Sequence, residues 1–183
     1  MNLSNRVLAC AAFAKLNSVL QNAKVHGLSQ DVDIELKELS RGYARDCCMK
    51  ALILAGGEGT RLRPLTLSTP KPVVPVANIP FLRYQIELLR LHGIHEVILS
   101  LGYQPQKIEQ VLGDGSAFGS RIHYVVEQTP LGTAGAYKNA ESLLHEATVV
   151  FNGDILCELD LSQVLALHRS RNATATLDRK SVV

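Results

Sequence analysis

From Met49 onward the chain alternates short apolar runs with segments of helical period, a pattern that few folds can accommodate. Lys50-Ala51-Leu52-Ile53-Leu54 is a continuous strand-like run that stops at Ala55-Gly56-Gly57. Over residues 81–92, Leu82, Ile86 and Leu89 share one helical face, and Gly93 supplies a stop. The same alternation predicts strands over 96–101, 121–126, 148–151 and 173–177. It predicts helices from Pro105 to Gly113 with Ile108, Val111 and Leu112 inward, over 133–145, and from a capping box at Asp160-Leu161-Ser162-Gln163 to about Arg171. Strands joined through helices imply right-handed βαβ crossovers and an α/β fold of the Rossmann-like, doubly wound kind, with a mainly parallel sheet and helices on both faces. Ligands of such sheets sit at the carboxyl ends of the strands. Residues 56–63, 127–132 and 152–154 are the corresponding segments, so Gly57, Gln128 and Asp154 are expected around one cleft.

A chain of 183 residues suits one compact unit, since domains commonly run about 100–200 residues. Residues 1–48 read as an N-terminal extension, with a weakly amphipathic segment over 7–25 and a charged one over 31–45, expected to pack loosely against the unit formed by 49–183. With 20% charged residues and a net charge of +2, the chain lacks the basic excess of a nucleic-acid-coating surface. A phosphate ligand would need a local site. Cys10, Cys47, Cys48 and Cys157 show no C-x-x-C spacing, which points to a reducing, cytoplasmic setting. No run reaches the roughly 18 apolar residues of a membrane span, and the apolar stretch over 7–14 is short for a signal peptide and is interrupted by Lys15.

Gly56-Gly57-Glu58-Gly59-Thr60-Arg61-Leu62-Arg63-Pro64 is the segment richest in chemistry. Three glycines allow positive φ and close backbone approach, so the loop can wrap phosphates with its N–H groups while Arg61 and Lys71 supply cations. A Walker A loop is excluded because Gly-Lys-Ser/Thr is absent, and a dinucleotide-binding G-x-G-x-x-G fails because Leu62 stands at the third glycine position. Pro64, Pro70, Pro72 and Pro75 restrict the backbone around Lys71, which suits a lysine that must be preorganised.

Gly-Gly-x-Gly-Thr-Arg-Leu-x-Pro-x-Thr followed by x-Pro-Lys-Pro resembles the motif of the NDP-sugar pyrophosphorylases, the sugar-1-phosphate nucleotidyltransferases. The resemblance implies that Gly56, Gly57 and Gly59 cradle a triphosphate, with Leu54 and Thr60 beside them as nucleotide-binding residues. It implies that Arg61 and Lys71 are the catalytic cations, on the phosphates and the departing pyrophosphate. Glu127-Gln128-Thr129-Pro130-Leu131-Gly132-Thr133-Ala134 is similar to the family's base-recognition loop: Gln128 can both donate to and accept from a base edge, and Gly132 lets a flat ring approach the backbone. Phosphoryl chemistry of this kind usually needs Mg²⁺, which prefers one or two carboxylates plus phosphate oxygens and water. Asp154, in Asn152-Gly153-Asp154, matches the family's Gly-Asp motif and is the candidate metal ligand.

Within the family, Leu-Arg-Pro-Leu-Thr-Leu-Ser-Thr-Pro-Lys-Pro and Pro-Leu-Gly-Thr-Ala-Gly look most like mannose-1-phosphate guanylyltransferases, which implies GTP and a sugar 1-phosphate as partners. Glucose-1-phosphate thymidylyl- or uridylyltransferases and a non-catalytic binding fragment remain alternatives, and a homo-oligomer stays open. Family chains usually begin near the equivalent of Met49 and continue past that of Val183, so 49–183 is expected to be the nucleotide-binding part of a C-terminally truncated domain. Residues 178–183 do not look like the continuation of a strand. Gly113-Asp114-Gly115-Ser116 follows a helix and reads as a turn, and the histidines share no metal-ligand spacing.

Overall fold

The structure, a computed structural model, describes the backbone of Val7–Ala11 and residues 49–144, 147–157 and 159–179. Along the chain, β1 (Val7–Ala11) is followed by β2 (Lys50–Ala55), the short strands β3 (Pro75–Val76) and β4 (Ile79–Pro80), α1 (Phe81–Leu91) and β5 (Glu96–Leu101). Then come α2 (Pro105–Leu112), β6 (Arg121–Val126), α3 (Gly132–Asn139), β7 (Thr148–Asn152), α4 (Leu161–Ser170) and β8 (Ala175–Arg179). The main sheet has six strands in the order β6-β5-β2-β7-β1-β8, and every pairing in it is parallel.

Side chains of a strand alternate between faces, and both faces of this sheet are covered. Ala51, Ile53, Val97, Leu99, Val149 and Phe151 pack with Leu82, Ile86 and Leu89 of α1, Ile108 and Leu112 of α2, and Leu161 and Leu165 of α4. On the opposite face Leu52, Ile98 and Val150 pack with Ala140 and Leu144, which follow α3. The apolar runs within 50–55 and 96–101 are continuous for this reason: residues 51–53 and 97–101, which point to both faces, are buried.

Helix ends follow their sequence signals. Gly93 has φ +77°, Gly93 N donates to Arg90 O at 3.0 Å and Ile94 N to Leu89 O at 3.0 Å, the paired bonds of a Schellman stop. Asp160 caps α4 by accepting from Ser162 N at 3.0 Å and Gln163 N at 3.2 Å, while Gln163 Nε2 donates to the same carboxylate at 2.8 Å. The helix expected over 133–145 is shorter. Ala140 N shares bonds with Ala136 O and Tyr137 O, and the chain passes into a 3₁₀ turn over Glu141–Leu143. The 113–116 segment is a turn, with Asp114 Oδ1 accepting from Ser116 N at 2.9 Å.

Other findings also depart from expectation: Val111 of α2, expected inward, is exposed, and Ile108 and Leu112 alone of the three are buried. β3 and β4 form a small antiparallel hairpin whose Ala77 and Asn78 both take positive φ, 49° and 65°. Val7–Ala11 lies inside the sheet, between β7 and β8, rather than apart from it. A short continuous apolar run such as Val7-Leu8-Ala9-Cys10-Ala11 fits a helix or a buried parallel strand equally well, and periodicity cannot separate the two. The rest of 1–48 lies outside the described residues. β8 also runs through Asp178 and Arg179, so a charged end is compatible with this strand. Because β1 pairs on both sides, Ala9→Pro should remove a ladder hydrogen bond and lower unfolding free energy by about 1–3 kcal/mol in urea titration. An unchanged midpoint would show that β1 does not hold β7 and β8 together.

Candidate active site

Parallel pairing sends the carboxyl ends of β2, β6 and β7 to one edge, where their following loops enclose a cavity of about 710 Å³. Leu54, Gly56, Gly57, Gly59, Thr60 and Arg61 line it from the β2 end. Lys71 enters from the Pro-Lys-Pro turn, Gln128 and Gly132 from the β6–α3 loop, and Asp154 from the turn after β7. All ten candidate residues therefore meet in one cavity, and the three segments at the strand ends are its walls.

The first loop folds back onto the turn that carries Lys71. Gly59 sits at φ +65°, and a Cβ there would lie 2.8 Å from Lys71 Cβ and 3.1 Å from Thr66 Cγ2. Buried Thr66 donates its hydroxyl to Gly59 O at 2.8 Å and closes the loop from below. Lys71 opens a 3₁₀ turn between Pro70 and Pro72, and its Nζ reaches Asp154 Oδ2 at 2.7 Å. With side chains 32% and 46% exposed, this pair contributes little to stability. Its value lies in placing a cation and a carboxylate at the same point of the cavity wall. Arg61 is exposed and makes no ion pair among the described residues. Gln128 is exposed as well, so its amide is open to solvent.

Among the lining residues outside these ten, Glu127, Gly102 and Gly153 shape the cavity. Glu127 accepts from Ser100 Oγ at 2.9 Å through Oε1 and from Leu131 N at 3.1 Å through Oε2, and its own N–H donates to Leu101 O at 2.7 Å. The carboxylate thus ties β5 to the loop entering α3, and a Cβ on Gly56 would lie 2.9 Å from it. Ser100 carried the signal: a hydroxyl inside a fully apolar run needs a buried partner. Gly102 and Gly153 let the strand ends close up. A Cβ on Gly102 would lie 2.8 Å from Gly56 O, and one on Gly153 would lie 2.9 Å from both Leu54 O and Ala55 Cβ. Gly153 N also donates to Leu54 O at 2.8 Å.

A divalent cation would be compatible with this wall. Asp154 already faces an ammonium group across 2.7 Å, so its carboxylate is presented to a positive charge. No group of three or more His, Cys, Asp or Glu gathers as a metal site among the described residues. A donor set with one carboxylate suits Mg²⁺ held jointly with phosphate oxygens and does not suit an all-protein cage.

The nucleotidyl transferase family model matches residues 50–182, nearly all of the chain from β2 onward. The chain belongs to this family. It is 50% identical over 128 residues to the mannose-1-phosphate guanylyltransferase of Mycobacterium tuberculosis, covering 69% of this chain and 36% of that protein. It is 46% identical over 132 residues to the mannose-1-phosphate guanylyltransferase catalytic subunit beta of Dictyostelium discoideum, covering 70% and 37%. A UTP–glucose-1-phosphate uridylyltransferase of Synechocystis is 37% identical over 146 residues, covering 73% and 38%. Among solved structures, HddC from Yersinia pseudotuberculosis complexed with GMP-PN superposes with a TM-score of 0.59 at 37% identity, covering 65% of this chain and 53% of that one. The nucleotidyl transferase chain described here therefore spans little more than a third of the length of these curated relatives.

The cavity depends on glycine-mediated contact between strand ends, which Gly102→Ala tests. The added methyl should force Gly56 aside and cost about 1–3 kcal/mol, the usual scale of overpacking. Urea unfolding within about 0.5 kcal/mol of the parent protein would mean that the two loops do not press on each other.

Proposed function

We propose that this chain provides the nucleotide-binding wall of a sugar-1-phosphate nucleotidyltransferase, which joins a nucleoside triphosphate to a sugar 1-phosphate and releases pyrophosphate. GTP and mannose 1-phosphate are the favoured substrates. The observation that carries the reading is the meeting of the glycine loop, Lys71, the 127–132 loop and Asp154 in one cavity. The substrate choice is supported by the names of the M. tuberculosis and D. discoideum relatives. The Synechocystis uridylyltransferase keeps UTP with glucose 1-phosphate as the second pair to assay.

In this mechanism an oxygen of the sugar phosphate attacks the α-phosphorus in line, the new O–P bond forms, and the bond from the α-phosphorus to the bridging oxygen breaks. Pyrophosphate leaves with the electron pair. The backbone N–H groups of residues 56–60 and the cations Arg61 and Lys71 stabilise charge on the triphosphate and the leaving group, so the protein needs no covalent nucleophile. Lys71 turns from Asp154 toward phosphate oxygens as the triphosphate enters. Gln128 meets the base edge, and Gly132 leaves room for the ring. Asp154 would hold Mg²⁺, which would neutralise phosphate charge when bound. The cysteine pattern supports a cytoplasmic setting, and no helix among the described residues is long and apolar enough to cross a membrane.

Titration calorimetry with GTP, UTP and dTTP, followed by pyrophosphate release with mannose and glucose 1-phosphates, tests the reading. Arg61→Ala and Lys71→Ala should each weaken GTP binding by about 1.5–3 kcal/mol, the scale of a hydrogen bond to a charged group, while the fold survives. Undiminished affinity in both variants would remove the phosphate role from these side chains.

A further inference from the structure

Gln85 occupies a position on α1 that packing alone would fill with an apolar side chain. It is 2% exposed, and Leu82, Ile86 and Leu89 of the same helix are all in the core. Its amide nevertheless reaches out of the helix to the turn after β7. Gln85 Nε2 donates to Asn152 O at 2.8 Å and to Ile155 O at 2.5 Å. Both partners are carbonyl oxygens, so only the NH₂ end of the amide can face them, and both of its hydrogens are used. The other end, Oε1, is buried with no partner among the described residues. A half-satisfied amide in the core carries a desolvation cost that leucine or methionine would avoid, so stability alone does not account for this residue.

The turn it grips is the one that carries Asp154. Ile155 N donates back to Asn152 O at 3.3 Å, which makes 152–155 a four-residue turn with Asp154 in its third position. Gly153 N is pinned to Leu54 O at 2.8 Å from the β2 side. The backbone on both sides of Asp154 is thus held, by β2 through Gly153 and by α1 through Gln85, while the carboxylate projects into the cavity.

We infer that Gln85 is a positioning residue for Asp154, holding the Asn152 and Ile155 carbonyls from the core so that the carboxylate stands where a divalent cation arriving with the triphosphate can be met. The inference rests on the nucleotidyltransferase reading. It separates α1 into two functions, with three apolar residues for the core and one amide for the site.

The test uses the 183-residue protein with Mn²⁺ as the probe, read by water-proton relaxation, with and without a non-hydrolysable GTP analogue. Gln85→Met keeps length and removes the donors; Gln85→Glu keeps the shape and offers at most one. Ile86→Val, one residue along the same helix, is the control for a loss of stability without a change at the turn. Both Gln85 variants should lose roughly tenfold or more in Mn²⁺ affinity in the presence of the analogue, with metal-free analogue affinity within about twofold of the parent, while Ile86→Val changes neither. If either variant is too unstable to purify, the other decides. A Gln85 variant that loses no more Mn²⁺ affinity than Ile86→Val overturns the inference, as does one whose metal-free analogue affinity falls by the same factor as its Mn²⁺ affinity. A parent protein that binds no analogue at all sinks the nucleotidyltransferase reading, and the inference with it.

Discussion

Backbone-to-backbone contact at the carboxyl edge of the parallel sheet is the constraint on which the site depends. Strand ends leave polar groups that must be satisfied as the chain turns away. Here they satisfy one another, with Gly153 N on Leu54 O and Glu127 N on Leu101 O. Such contacts leave no room for side chains at the crossing points, hence Gly102 against the Gly56 carbonyl and Gly153 against Ala55. The cavity is therefore framed by strand ends in backbone contact, with exposed side chains such as Arg61 and Gln128 on its lining.

Charge is arranged on this frame with a division of labour. Glu127 has both carboxylate oxygens engaged by Ser100 and Leu131 and acts as a strut between β5 and α3. Asp154 is half exposed and, among the described residues, is paired with the Lys71 ammonium group. Two carboxylates a short distance apart in the fold thus have opposite characters, one structural and one available. For the proposed reaction, governed by positioning and by stabilisation of phosphate charge, a preformed backbone wall of this kind is the relevant asset, since its N–H dipoles are already set by the strand ends when the ligand arrives, while the Lys71 side chain must turn from Asp154.

Legibility in the sequence followed the range of the interactions. Apart from the hairpin over 75–80, the elements from β2 to α4 are readable because each is specified by neighbours a few residues away: Pro105 at the first turn of α2, Gly93 in its left-handed stop, Asp160 as a cap. The hairpin over 75–80 was missed because Ala77 is a poor marker for a turn that needs positive φ at two consecutive positions, even with Asn78 beside it. β1 was missed because its strand character arises only from pairing with β7 and β8, which are more than 130 positions away in sequence. Glu127 stands beside Gln128 in the same motif. Its partners are Ser100 on another strand and a backbone N–H at the start of a helix, neither of which a linear reading connects.

By itself the sequence determined the α/β class, the parallel direction of the strands, the loops that line the cavity at the strand ends, and the residue types available there. Those follow from local propensity, period and the right-handed crossover rule, all of which act over one or two elements. Tertiary structure decided the rest: that Lys71 rests on Asp154, that β1 enters between β7 and β8, that glycines on three different loops bring the strand ends into contact, and that a core glutamine on α1 holds the Asp154 turn. Each of these joins residues from separate elements, and whether such groups meet is set by the register and spacing of the packed sheet, which no short stretch of sequence encodes alone.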